Sequence, residues 1–361
     1  MTKPSNHARS TMGPIALVFL LSFAMLQTLG MAQAPAARFG EVVPRDVREI
    51  YDKGLQYLAT SQLEAGDWKN GGEQGPGVTG LCLMVFLASG EDPNYGLYSN
   101  NVRRALRNII SGQDAKTGFY AGNHGHSSMY NHGFAMLAMA EAYGAVDDRN
   151  LWTGNEPNRR TIGQSLELAA RAAIRSHDKN PVGGWRYSPD ATDADTSVSG
   201  AVLVGLLAAR NAGIEIPDKS IDKAINYFVK KTSNGGLVAY ADGFGGFDES
   251  IPRISIATLV YSVARRKDLP QFKATLGYLT QRLENTSANH YPEYGRYYQA
   301  QALFQGDVEA WEKWNKLLVR ELKMTQSADG SIPGQQGTTL GTSMSCLALA
   351  LNYRFLPIYE R

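Results

Sequence analysis

One grammar recurs six times along this chain, and a repeat of this kind constrains the architecture before any single residue is interpreted. An amphipathic segment ends in a polar turn, a glycine-rich loop carrying an aromatic or apolar residue follows, and a small-residue-rich, nearly all-apolar segment begins. The turns read Ser61-Gln62 before Gly66-Asp67-Trp68, Gln113 before Gly118-Phe119-Tyr120, and Ser176-His177 before Gly183-Gly184-Trp185. They continue with Ser233-Asn234 before Gly235-Gly236-Leu237, Ser287-Ala288-Asn289 before His290-Tyr291, and Gln326-Ser327 before Asp329-Gly330-Ser331. Each interval holds two helices and their loops.

The two segments of a unit have different faces. Val47, Ile50, Tyr51, Gly54, Leu55 and Leu58 follow the i, i+3, i+4, i+7 pattern of a helix with one buried stripe, which assigns it to an outer layer. The second segments, such as Leu81 to Ala88, Phe134 to Ala140 and Val202 to Ala208, have almost no polar face and read as an inner layer buried on all sides. Alternating outer and inner helices predict an all-α fold, an α/α toroid of six helical hairpins. An open helical solenoid satisfies the same periodicity.

A positive start with Lys3 and Arg9, an apolar run from Ile15 to Leu29 and small residues at Ala32, Ala34, Ala36 and Ala37 predict a secretory signal peptide over residues 1–36. The toroid then occupies residues 37–361, exported to the periplasm or beyond, with no stable membrane span after cleavage. Removing Lys3 and Arg9 from 36 basic residues leaves 34 against 34 acidic ones, and a neutral chain is no nucleic-acid binder. Cys82 and Cys346 are too few for a disulfide scaffold and lack zinc-site spacing. They fall on the first and last inner helices, so ring closure brings them close, and proximity without a bond is expected.

Gly183-Gly184-Trp185-Arg186-Tyr187 followed by Asp195-Thr196-Ser197-Val198-Ser199-Gly200, Met129-Tyr130-Asn131-His132-Gly133-Phe134-Ala135, and the closing Tyr353-Arg354-Phe355-Leu356-Pro357-Ile358-Tyr359 carry a resemblance. In these the chain resembles the prenyltransferase/squalene-cyclase repeat superfamily, above all its exported bacterial members, over essentially the whole mature length. The resemblance implies the toroid and a cavity for an isoprenoid, lipid or other small molecule. It does not supply a complete catalytic set. The acid motif of the cyclases, Asp-x-Asp-Asp-Thr-like, is matched only by Asp193-Ala194-Asp195-Thr196. Aligned on Asp-Thr the acid position is Ala194, and aligned from the left it is Asp195 with Thr196 in place of its acidic neighbour. No Asp-x-Cys zinc motif surrounds either cysteine, no Asp-Asp-x-x-Asp is present, and Asn70-Gly71-Gly72-Glu73-Gln74 lacks the cysteine of a thioester sequence. No metal or cofactor is expected.

The candidate catalytic residues are accordingly Asp195 and Asp193, Asp195 serving equally well as the cap of an inner helix. The candidate ligand-binding residues are His132, Tyr130, Arg296, Tyr297, Trp185 and Asp248. His132, Asp193, Asp195, Arg296 and Tyr297 stand at equivalent places in three repeats, so closure is expected to gather them at one rim. Asp248 belongs to a glycine-rich stretch, residues 235–249, long enough for a flap. His124 and His126 lie near His132, but a helix turns His132 away from them, and their expected role is in loop and cap hydrogen bonds. The expected function is a cavity-bearing binding or scaffold protein, with a protein partner left open. The alternatives are a terpenoid cyclase-like enzyme with Asp195 as acid, and a carbohydrate-active α/α barrel using Asp193 with Asp195 or Asp248 with Glu249.

Overall fold

The structure, a computed structural model, divides into two compact units, Met1–Val42 and Val43–Arg361. It describes Met1 and residues 43–70, 75–120, 128–152, 154, 159–243, 246–284 and 291–359. The expected signal peptide, His124, His126 and the turn at Ser287-Ala288-Asn289 lie outside the described residues.

Among the described residues of the second unit twelve α-helices follow: α1 Arg45–Ser61, α2 Pro76–Leu87, α3 Ser99–Ser111, α4 Ser128–Ala142, α5 Ile162–Lys179 and α6 Thr196–Asn211. The rest are α7 Asp218–Lys231, α8 Ile251–Val263, α9 Pro270–Thr280, α10 Pro292–Gly306, α11 Val308–Thr325 and α12 Thr338–Ala350. The odd-numbered helices are outer and the even-numbered inner, as the repeat predicts. In α1 the buried residues are Val47, Ile50, Tyr51, Gly54, Leu55 and Leu58, the expected stripe, whereas every residue of α2 is buried. The inner helices pack in the order α2, α4, α6, α8, α10, α12, and α12 returns to α2 and α1. The ring is closed and the fold is an α/α toroid.

Small residues let the inner helices touch backbone to backbone. A Cβ on Gly133 would stand 2.7 Å from the Ala201 carbonyl carbon, and one on Gly205 2.7 Å from the Gly133 carbonyl oxygen. Neighbouring units are joined by the loops. The Gln62 amide donates to the carbonyls of Gly66, in its own loop, at 2.9 Å and of Asn101, on the next outer helix, at 3.0 Å. Gln113 does the same with Gly118 and Ser165, each at 2.9 Å. Gln326 repeats it with Gly330 and, across the closure, with Ile50 of α1, each at 2.9 Å. The loop glycines sit at positive φ against the next outer helix: Gly66 at +93°, Gly118 at +80°, Gly236 at +85° and Gly330 at +88°. A Cβ at Gly330 would lie 2.2 Å from the Lys53 carbonyl oxygen.

Closure also caps the inner helices across units. The Asn70 carboxamide oxygen accepts from the Leu340 N–H of α12 at 3.0 Å, and its nitrogen donates to the Gln336 carbonyl at 2.7 Å. Asn131 of α4 accepts from the Gly77 N–H of α2 at 2.9 Å. Cys82 and Cys346 are both buried and free, on adjacent helices, with the Cys82 thiol bonded to Ser343 of α12. Burial pushes the Cys346 thiol up to about 12, so neither is a reactive thiolate. At the opposite end the C-terminal segment crosses the C-terminal ends of the inner helices. Phe355 lies against Gly90, the Ile358 N–H donates to Glu141 at 3.4 Å, and Gln305 donates to the Ile358 carbonyl at 3.4 Å.

The loop contact is separable from the backbone conformation it requires. Gly213 has φ +95° and nothing within 4 Å of a Cβ, whereas Gly330 has a similar φ and meets backbone. Gly213→Ala should therefore cost about 1 kcal/mol, the left-handed penalty alone, and Gly330→Ala about 2 kcal/mol more. Urea unfolding of the two variants checks this, and equal losses would remove the docking argument.

Candidate functional site

All six inner helices begin around one cavity of about 720 Å³. Its lining takes Gly77, Val78 and Leu81 from α2, Tyr130, Asn131 and Phe134 from α4, and Ser197 from α6. It takes Pro252 and Arg253 from α8, Tyr294 from α10, and Leu340 and Met344 from α12, with Tyr187, Tyr240, Ser250, Tyr291 and Gln336 supplied by the loops. The cavity therefore stands where inner-helix starts and loops converge.

Tyrosines form much of this wall. Tyr130 lies 6.3 Å from Tyr187 and 6.4 Å from Tyr294 between ring centroids, and the Tyr187 and Tyr240 hydroxyls bond to each other. Burial pushes the Tyr130 and Tyr294 phenols well above their usual range, so they stay neutral hydrogen-bonding groups at any physiological pH.

Asp195 sits behind this wall. It is fully buried and caps α6, its Oδ1 accepting from the Ser197 N–H at 2.9 Å and the Val198 N–H at 2.8 Å. Its own N–H donates to the Trp185 carbonyl at 3.1 Å. Arg186 approaches Oδ2 at 3.4 Å, out of hydrogen-bonding alignment, and Oδ2 accepts no hydrogen bond among the described residues. Burial raises the carboxyl to about 6, against the Val198 and Ser197 N–H groups and Arg186, which pull it down. Arg186 itself lies over the rings of Tyr187 at 4.8 Å and Tyr240 at 5.4 Å.

The remaining candidates scatter. Asp193 is a surface residue, paired with Arg186 at 3.1 Å. The expectation that His132 lines the cavity is corrected: it is fully buried, its Nδ1 accepts from the Tyr120 N–H at 3.2 Å, and its Nε2 donates to the Ala169 carbonyl at 3.1 Å. Both nitrogens are occupied in tying α4 to a loop and to α5, and burial lowers its pKa to about 4. Arg296 likewise leaves the rim, bonding Ser345 of α12 at 3.3 Å and pairing with Glu321 of α11. Tyr297 packs edge-on against Phe134 and Tyr298 and is absent from the lining. Trp185 stacks on His177 at 4.3 Å and donates to the Ala173 carbonyl at 3.1 Å, a packing role. Asp248 is exposed, but holds the lining residue Arg253 at 2.8 Å. Glu249 pairs with Arg282 at 3.3 Å. Among the described residues no group of three metal-ligating side chains forms.

No protein-family model and no curated protein matches the sequence. Solved structures match in fold. An inactive variant of an α-1,6-mannanase of Salegentibacter sp., in complex with α-1,6-mannotriose, aligns with TM-score 0.60 at 10% identity over 85% of this chain and 99% of its own. The apo type II terpene cyclase MstE from Scytonema aligns with TM-score 0.59 at 12% identity over 86% of this chain and 99% of its own. A glycoside hydrolase family 76 protein (mannosidase) from Bacteroides thetaiotaomicron gives TM-score 0.60 at 10% identity over 85% and 98%. At such identities the likeness is one of fold, and it is shared by carbohydrate-active and terpene-cyclising proteins.

Two buried groups titrate against each other. A carboxyl raised from 3.8 to about 6 stabilises the fold in its protonated form, below about pH 4, and that contribution is lost as pH rises through 6. His132, lowered from 6.5 to about 4, stabilises above 6.5 and loses that as pH falls towards 4. The wild-type profile is therefore flattened. Asp195→Asn should remove one side of this balance, with a stability advantage over wild type that is absent near pH 4 and grows towards pH 7. The rise to about 6 sets its scale at roughly 3 kcal/mol. Urea melts at several pH values test it, and a difference independent of pH would contradict the burial argument. His132→Phe, orphaning two buried backbone groups, should cost about 2 to 5 kcal/mol at pH 7.

Proposed function

We propose that this toroid is a binding protein that holds a small, largely apolar molecule in the tyrosine-lined cavity, in keeping with the prenyltransferase/squalene-cyclase resemblance of its motifs. The observation that carries the reading is the lining. Val78, Leu81, Phe134, Leu340 and Met344 provide an apolar wall, five tyrosines provide a large part of the remainder, and a cavity of about 720 Å³ is of the size that encloses a ligand of several hundred daltons. Among the described residues no carboxylate lines it. Hydrolysis of a glycosidic bond needs two carboxyl groups facing the sugar. Here Asp193 is at the surface, and Asp248 and Glu249 face Arg253 and Arg282. The described residues thus favour holding an apolar molecule over cleaving a glycan.

Asp195 favours a second reading, a cyclase-like acid. Its position at an inner-helix start, an oxygen without a hydrogen bond and a carboxyl raised to about 6 suit a proton donor in an apolar site. Its proton would have to pass the layer formed by Tyr130, Tyr187 and Tyr240.

Calorimetric titration with geranylgeraniol and, separately, α-1,6-mannotriose distinguishes these activities, with lipid extraction and mass spectrometry of the purified protein beside it. Geranylgeraniol should bind saturably at one site per chain, Ser197→Trp should block it, and Asp195→Asn should leave it intact because asparagine also caps a helix. Mannotriose cleavage would overturn the binding-protein reading. Turnover of a terpenoid by wild type and not by Asp195→Asn would establish the acid instead.

A further inference from the structure

We infer that the cavity takes an amphipathic molecule with an anionic head of the carboxylate class, and that Arg253 fixes that head on the α8 side of the mouth. The inference rests on the binding reading above and narrows its ligand.

The lining is divided across the ring. In the packing order of the inner helices, α8 stands opposite α2, with α6 and α10 beside it and α4 and α12 beside α2. The α2 half supplies Val78, Leu81, Phe134, Leu340 and Met344, together with Gly77, Tyr130 and the Asn131 carboxamide that caps α2. The α8 half supplies Ser197, Ser250, Pro252, Arg253 and Tyr294, three of them polar groups and one a cation. Arg253 is the single charged residue in the described lining. Its side chain is 9% exposed, so its charge is largely removed from water and an anion brought to it gains more than at a surface arginine.

Arg253 is also held and, among the described residues, only partly used. One nitrogen, Nη2, donates to Asp248 at 2.8 Å, while a guanidinium carries five N–H donors in a planar fork suited to a carboxylate. Asp248 stays outside, its side chain 57% exposed, where water screens its charge. Around the same mouth six inner helices present their N-terminal ends, and α8 receives no side-chain cap from Ser250. Their dipoles add in the direction that favours negative charge. A cationic head is disfavoured by Arg253 and by Arg186, which already occupies the Tyr187 and Tyr240 rings.

The probes are geranylgeranoic acid and geranylgeraniol, which share one tail and differ in the head. Wild type should bind the acid about 10- to 100-fold tighter than the alcohol, the span expected for a charge-assisted pair, with the preference falling as salt is raised. Arg253→Gln should bring the acid down towards the affinity of the alcohol, while its urea midpoint shows that the variant is folded. Arg253→Lys, keeping the charge, should retain part of the preference. Equal binding of both probes by wild type would overturn the anionic head while leaving the cavity reading in place. A parallel loss of both in Arg253→Gln with Arg253→Lys unaltered would reduce Arg253 to packing and overturn its role. Failure of wild type to bind either probe would overturn the binding reading and this inference together.

Discussion

The whole assembly depends on one contact repeated around the ring: a loop glycine in the left-handed conformation laid against the backbone of the next outer helix. At Gly66, Gly118, Gly236 and Gly330 the nearest atom to a Cβ would be a carbonyl oxygen between 2.2 and 2.5 Å away, of Arg104, Leu168, Ala274 and Lys53 respectively. A side chain at those points would hold neighbouring units apart. The glutamine amides at 62, 113 and 326 then use the short separation, each bonding its own loop and the next helix at once. Because Gly330 and Gln326 meet α1 as Gly66 and Gln62 meet α3, the sixth unit docks on the first with the geometry that joins the first to the second. A closed ring is thus a consequence of the unit contact, with no special closing element required.

Closure in turn makes the cavity. Once the inner helices stand side by side with small residues at their contacts, their starts surround a common axis, and side chains of the first turns are the ones that reach it. Cross-unit capping by Asn70 and Asn131 fixes where α12 and α2 begin. The buried carboxylate of Glu293 accepts from the Gln335 and Gln336 N–H groups at 3.2 and 2.8 Å, holding the last loop to α10 and Gln336 in the wall. At the far end the chain's own tail lies over the helix ends through Ile358 and Phe355. Among the described residues no helix is long and apolar enough to cross a membrane.

The repeat was legible because its physics is local. Positive φ with backbone packed against it favours glycine, the glutamine turn recurs beside it, and a one-faced outer helix shows its stripe, as α1 does residue for residue. The orientation of inner residues was not legible, because an inner helix is apolar on every side and has no face to read. Two residues along a helix turn a side chain by about 200°. Tyr130 and Tyr294 line the cavity, and His132 and Arg296, each two residues further on, point away to α5 and to the α11–α12 pair. Equivalent places in the repeat therefore placed those residues in the right unit and at the right end, but on the wrong side. Arg253 left a weaker trace: it lies five residues from Asp248 and two from the start of an otherwise apolar helix.

Asp195 shows where a structural account of this site stops being sufficient. Capping α6 uses one carboxyl oxygen, and an asparagine would serve as well without carrying a charge into a dry place. Asp307 makes the comparison within the chain, since it caps the outer helix α11 by accepting from the Ala310 N–H at 3.0 Å, at the periphery where water reaches it. Behind the cavity wall, by contrast, the second oxygen of Asp195 lies beside Arg186 without a hydrogen bond among the described residues, and burial raises the carboxyl to about 6. That cost is not offset by the cap, and Arg186 only partly compensates it because its guanidinium also serves Asp193 and two tyrosine rings. The Asp195–Arg186 pair behind the tyrosine wall is thus a costly element of this fold. Cores tend to exclude such a pair where packing is the sole requirement, and this one lies behind the wall of the cavity.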